Sequence, residues 1–345
     1  MSRARGLLGR RLRARAGLAQ GFPPPELNMQ PIRSLLMPAL LATATLTAGA
    51  APLRVAPSTR PIEWTIYYGS QKLLVYSFDP TKFKPYVKEL YTLKGYNILR
   101  DAPPEHLHHH GLMYGIRVNG INFWEETPGN GVEKPIRTPP PEVGLSPGGL
   151  PQARIRELIY WLAPQDAFLP DTSREALLIE RRTLTLTVNE AQDEVALEWK
   201  SRFQVGTKTN EVTLTGANYH GLGMRFLEKL DPVARHLNSG GAPDLTGTRQ
   251  DVSQHRWGAV FFDTPDQPAT VVLFGRPSNR RGDAQYFTME RPFAYISATQ
   301  GLDKKPLVYH TGDQFELNYL VTLYPKIEPT AFIERRAEQW RATKP

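Results

Sequence analysis

The sequence predicts an all-β protein, a large two-sheet β-sandwich with one C-terminal helix. Three observations carry this expectation. Apolar and polar residues alternate with a period of two in run after run. The runs are separated by short turns rich in Gly, Asn, Asp and Pro. One segment near the end has helical character, with a proline at its start.

In chain order, Ile62–Tyr68 and Lys72–Phe78 flank Gly69-Ser70-Gln71 and read as a hairpin. Leu112–Val118 and Ile121–Trp124 flank Asn119-Gly120, a strong short-range hairpin cue because both residues tolerate positive φ. The stretch 128–151 is rich in Pro and Gly; it reads as a long surface loop, a lid candidate, because strand patterns flank it on both sides. Ala153–Leu162, Leu177–Val188 and Val195–Val205 fit long strands. In Thr183–Val188 the threonines fall on one face and Leu184, Leu186 and Val188 on the other. Trp257–Asp263 and Ala269–Gly275 form another hairpin, Phe315–Tyr324 the last long strand, and Pro329–Arg341 the helix. Eleven or more strands fill a single domain from residue 51 to residue 345.

The 345 residues contain no cysteine, so disulfides and thiolate metal sites are excluded, and a metal would need His, Asp, Glu or Asn. The net charge of +8 is concentrated in residues 1–50, which hold seven Arg and one Glu. The remainder is close to neutral, which argues against a nucleic-acid partner. Met29 to Ala50 reads as a signal peptide: basic start, apolar Leu35–Leu46, and a small-residue cleavage site near Ala50. Residues 1–28 then read as a disordered upstream extension, and the mature chain as exported, periplasmic or secreted. No run reaches the ~20 apolar residues of a spanning helix.

Candidate functional residues begin with a dense cluster: His106, His108, His109 and His110, directly before a strand. In an extended chain His106, His108 and His110 share one face and His109 the other. Imidazoles so grouped suit acid–base work near neutral pH, or a divalent metal held by His106, His108 and His110. His220 is a candidate proton donor, Glu290 a candidate base, and Arg225 and Arg291 candidate hydrogen-bond partners for a substrate. Trp124 offers a ring face for a sugar. Of Glu125 and Glu126, one is a candidate to join the site, with both expected to be exposed. His236, His255 and His310 read as structural.

The stretch Glu105–Trp124, with His-x-His-His-x-Gly-Leu and then Asn119-Gly120-x-x-Phe123-Trp124, resembles the bacterial family labelled "methane oxygenase PmoA". Arg291–Ser297 and Asn218–Phe226 resemble two later motifs of that family. Glu105, Leu107 and His110 depart from it, where the family has Asp, Pro and Arg; the last change removes a fixed cation. A more distant likeness is to the galactose-mutarotase type of β-supersandwich, which implies catalytic roles for His110, His220 and Glu290. Together these suggest an exported carbohydrate-active protein acting on a sugar or glycan by His/Glu acid–base chemistry, of epimerase, lyase or hydrolase type. The competing expectations are a non-catalytic carbohydrate-binding or cell-envelope module and a His-ligated metalloprotein. No cofactor is required, and the chain is expected to be a monomer or simple homo-oligomer.

Overall fold

Strand periodicity in the sequence becomes two broad antiparallel sheets in the computed structural model, which describes residues 53–57, 62–169, 172–247 and 249–343. The expected signal peptide and upstream extension lie outside these residues. The front sheet has nine strands in the order Leu53–Pro57, Glu63–Tyr68, Gln71–Ser77, Tyr86–Leu90, Leu112–Gly115, Gly221–Arg225, Tyr295–Thr299, Gln285–Met289 and Gln250–Gln254. The back sheet runs Ala234–Asn238, Trp257–Phe262, Ala269–Gly275, Gln314–Tyr324, Glu194–Val205, Leu178–Asn189, Pro151–Leu162 and Val132–Arg137, with Glu142–Leu145 also paired to Pro151–Leu162. A third, four-stranded sheet, absent from the sequence expectation, joins Leu307–His310, Glu211–Thr215, Arg117–Val118 and Ile121–Asn122.

The two large sheets bury one shared apolar core. Leu184, Leu186 and Val188 point into it while the threonines between them face outward, as the alternation requires. The Asn119-Gly120 turn has φ of 51° and 79°, the positive values its residues were selected for. The helix Thr330–Ala342 follows Pro329 and buries Ile333, Ala337 and Trp340, spaced four and three residues apart, against the outer face of the back sheet.

One expectation fails. Residues 128–151 are not an irregular loop, since Val132–Arg137 and Glu142–Leu145 both pair with the strand Pro151–Leu162. Pro135 is tolerated because its strand lies at the sheet edge, where a missing N–H breaks no ladder.

The front sheet has a second covered face. Met113, Phe287 and Tyr295 project away from the main core and form a separate cluster with Tyr86, Trp124 and Phe293. Gly115, Gly221 and Gly223 occupy that face in the two central strands. The backbone is therefore bare there, and a Cβ on Gly115 or Gly223 would lie within 3.2 Å of Trp124 atoms. The Trp124 ring fills the space those side chains would need.

Candidate functional site

The histidine segment is folded, not extended. Backbone bonds from His106 N to Pro103 O and from His109 N to His106 O, each 2.9 Å, close two successive reverse turns. Pro103 and Pro104 suit such turns by fixing φ. Gly111 ends the segment where a Cβ would sit 2.6 Å from the Val87 carbonyl, so the chain can press against the neighbouring strand only without a side chain. The turns replace the face-sharing expected of an extended chain. His106, His108 and His109 gather together, with ring centroids 4.6 Å apart for His106–His109 and for His108–His109. His110 turns the other way.

His110 is buried between two carboxylates, Nδ1 at 2.6 Å from Asp101 and Nε2 at 3.0 Å from Glu126, and stacks on Tyr86 at 3.9 Å. Burial alone pushes its pKa down, but the bonds to Asp101 and Glu126 outweigh this and raise it. With both nitrogens engaged by carboxylates, His110 is the one member of the cluster that does not line the cavity shared by the other three. Glu126 is only slightly exposed, against the expectation of exposure. Its Oε1 also takes a 3.0 Å bond from Lys84 Nζ, which donates in addition to the Trp124 carbonyl at 2.6 Å. Burial raises the Glu126 pKa, yet Lys84 and His110 bring it down to about 2. This charge chain fastens the segment 124–126 to the histidine turns.

The other three histidines line a cavity of about 490 Å³ with Glu125, Asn218, Tyr219, Gln250, Phe287, Met289, Pro292, Phe293 and Tyr295. That volume lies within the usual range for small-ligand sites, and the lining combines aromatic walls with a few polar groups. Burial, then the charges of His108, His106 and Arg225, depress the His109 pKa to about 2. Burial and the charge of Lys84 lower that of His108. His220 lies beneath the cavity, stacked on Trp124 at 5.1 Å, and burial first and Arg117 second depress it to about 3. Burial therefore favours the neutral imidazole at His108, His109 and His220. Neither ring nitrogen of His220 has a hydrogen-bond partner, nor do Nδ1 of His106, Nδ1 of His109 or Nε1 of Trp124. Buried polar atoms without partners are uncommon in folded proteins, and each calls for an explanation.

Several expected site residues fall elsewhere. Glu290 lies 3.6 Å from Nδ1 of buried His236, whose nearness lowers the carboxylate pKa, and it does not line the cavity. Arg291 is exposed and outside the lining. Arg225 is buried under Phe293, with its guanidinium 3.4 Å from that ring and Nη2 bonded to Glu105 at 2.8 Å. It packs behind the cavity wall, with Nε and Nη1 left without a hydrogen-bond partner among the described residues. Trp124 is fully buried and serves as floor, not as an open stacking face. The carboxylate that does face the cavity is Glu125, whose Oε2 accepts a 3.1 Å bond from Asn122 Nδ2. Asn218 and Tyr219 lie in the Asn218–Phe226 motif and Phe293 in the Arg291–Ser297 motif, while Phe287 and Gln250 carry no signal of their own in the sequence.

His106, His108 and His110 do not converge, because His110 is held by Asp101 and Glu126 on the far side of the turns. Among the described residues, no group of three or more His, Asp or Glu side chains is placed to hold a metal ion. Also among these residues, no helix is long and apolar enough to cross a membrane.

The chain is similar in structure to the GH36 α-galactosidase AgaB of Geobacillus stearothermophilus, with a TM-score of 0.47 and 13% identity over 79% of this chain and 41% of that one. It is also similar to a Glycoside Hydrolase Family 97 enzyme of Pseudoalteromonas sp. strain K8, with a TM-score of 0.38, 6% identity, and coverage of 79% and 34%. For the Slr1438 protein of Synechocystis sp. PCC 6803 the TM-score is 0.38 and the identity 12%, over 79% of this chain and 98% of that one. This chain spans less than half the length of the first two. No curated protein matches the sequence. One family model covers most of the chain, residues 63–338, and its description carries no oxygenase label. The chain belongs to that family, DUF6807, a family of unknown function.

Proposed function

We propose that this is an exported carbohydrate-active protein that binds a sugar or glycan in the histidine-lined cavity and transfers protons on it. One observation carries the reading. His106, His108, whose pKa is lowered by burial, His109, whose pKa is depressed to about 2, and Glu125 face the same aromatic-walled cavity of about 490 Å³. Sugar rings have apolar faces and hydroxyl edges. Tyr219, Phe287 and Phe293 suit the faces, and Asn218, Gln250 and the imidazoles suit the edges. Glu125, not Glu290, takes the role of acid or base, opposite the neutral imidazole of His108. A neutral imidazole takes a proton from the substrate and, as imidazolium opposite Glu125, returns it, proton transfer of the kind used in epimerisation, elimination and glycoside hydrolysis. His109 and His220 lie deeper and fix orientation by hydrogen bonding. The resemblance to the PmoA-labelled family supports the motif boundaries and supplies no chemistry.

The test is a screen of purified protein against mono- and oligosaccharides for binding and turnover, followed by His108→Ala and Glu125→Gln. Each variant is expected to lose at least ~100-fold in turnover, as removal of a general acid or base does, with the melting temperature unchanged. Full turnover in both variants overturns the reading. So does binding that depends on Tyr219 and Phe287 alone with no turnover, which leaves a non-catalytic module. Amino-terminal sequencing of the extracytoplasmic protein tests the export proposal, with a start near Ala51 expected.

A further inference from the structure

The outer face of the back sheet is divided. Over Trp257–Phe262, Ala269–Gly275 and the C-terminal half of Gln314–Tyr324 it is apolar and covered by the helix. Over the strands from Val132–Arg137 to Glu194–Val205 it carries Arg137, Arg154, Arg156, Arg181, Lys200 and Arg202, against the carboxylates Glu142, Glu198 and Glu316. Arg156 pairs with Glu142, and Arg202 and Lys200 share Glu316. Among the described residues no ion pair holds Arg137 or Arg181, and both are exposed. Arg181 stands directly opposite Arg202 in the ladder, and Leu158 bridges Arg137 and Arg181. Like charges facing each other across a pair of strands destabilise the sheet unless something lies between them. Arg137, Arg154, Arg156, Arg181, Lys200 and Arg202 line an open groove of about 840 Å³.

We propose that this groove holds an acidic polysaccharide, a chain of uronate or sulfated sugar units, and so presents a polymer to the protein at a surface separate from the histidine cavity. The proposal rests on the glycan reading of that cavity. Three features select the occupant. No aromatic residue lines the groove, so it has neither a stacking platform for nucleic-acid bases nor an apolar wedge for a lipid surface. Glu142 and Glu316 interrupt the cations, which suits a chain whose anions are spaced and separated by hydroxyl groups; a continuous phosphate backbone needs unbroken positive charge. The Arg181–Arg202 row crosses neighbouring strands about 4.8 Å apart, close to the length of one pyranose unit, and each guanidinium can grip a carboxylate bidentately.

The test is affinity electrophoresis of the full chain in gels containing polygalacturonate, with dextran as the neutral control. Polygalacturonate is expected to retard the protein, dextran not, and the retardation to fall as salt is raised. The pair Arg181→Gln with Arg202→Gln is expected to weaken binding at least ~10-fold, the loss of one or two charge-assisted bonds. Arg137→Gln with Arg181→Gln provides a second pair, and the melting temperature of each checks folding. His108→Ala is expected to leave polymer binding intact, so a failed cavity mechanism and a failed groove give different results. Equal retardation by dextran, unchanged binding in both pairs, or a preference for duplex DNA or phosphatidylserine vesicles over polygalacturonate overturns the proposal.

Discussion

Replacing Gly223 with alanine tests how the cavity floor is built. The new Cβ would lie 1.8 Å from the Tyr295 hydroxyl oxygen, 2.8 Å from its Cζ and 3.0 Å from Trp124 Cη2. The first contact is more than an ångström inside any approach that real Cβ atoms show. Tyr295 cannot swing aside freely, since His109 stacks on it at 5.7 Å and Phe287 and Trp124 meet it edge-on at 5.9 and 6.4 Å. The ring must therefore rise into the cavity or the strand must move. Overpacking of this kind costs about 1–3 kcal/mol. In a domain of this size that lowers the melting temperature by roughly 2–10 °C. Gly144→Ala is the control, because its Cβ meets nothing within 4 Å and its φ is not left-handed. Thermal melts followed by circular dichroism, with sugar titrations of each variant, make the comparison. Gly223→Ala is expected to melt lower and bind more weakly, and Gly144→Ala to match the parent. Equal behaviour of the two variants refutes the packing argument.

Two further predictions concern buried carboxyl groups. Glu157 accepts bonds from Tyr76 and Thr138 near Arg182; burial raises its pKa to about 7, although Arg182 works against this. Below about pH 4.5 both folded and unfolded states are protonated; between about pH 4.5 and 7 only the unfolded state gives up the proton, so stability falls by roughly 3 kcal/mol across that window. Glu157→Gln is expected to flatten this decline in urea unfolding, and an unaltered slope would refute the assignment. Glu126 has the opposite sign. Its folded pKa of about 2 adds stability above pH 4.5 that is lost as pH falls towards 2. Glu126→Gln is expected to remove that acid-limb loss and to loosen the histidine turns, read as a wild-type-like imidazole spectrum lost for His110 in NMR titration. A variant that keeps the parental acid limb counts against it.

The strands were legible because their signal is local. Period-two alternation in Thr183–Val188 fixes which side chains enter the core whatever strand lies alongside. Asn119-Gly120 set its own turn through positive φ. The residues of the cavity were less legible because their placement depends on distant partners. Two reverse turns at Pro103–His109 reset the parity on which the histidine faces were reasoned. Glu126 reads as a surface residue until Lys84, 42 positions earlier, and His110 supply its counter-charges. Glu290 and Glu125 are indistinguishable as carboxylates; only the pairing of Gln250–Gln254 with Gln285–Met289, and of that strand with Tyr295–Thr299, decides which one reaches the imidazoles. Arg225 looked like a ligand hook because nothing local shows Phe293 lying over it.

The walls of the cavity come from separate stretches of chain, the histidine turns, the segment ending in Glu125, the Asn218-Tyr219 corner and the residues around Phe293, all resting on one sheet face. Because Gly115 and Gly223 leave that sheet face bare, the rings resting on it set how deep the cavity reaches, and a side chain added at either position would lift its floor.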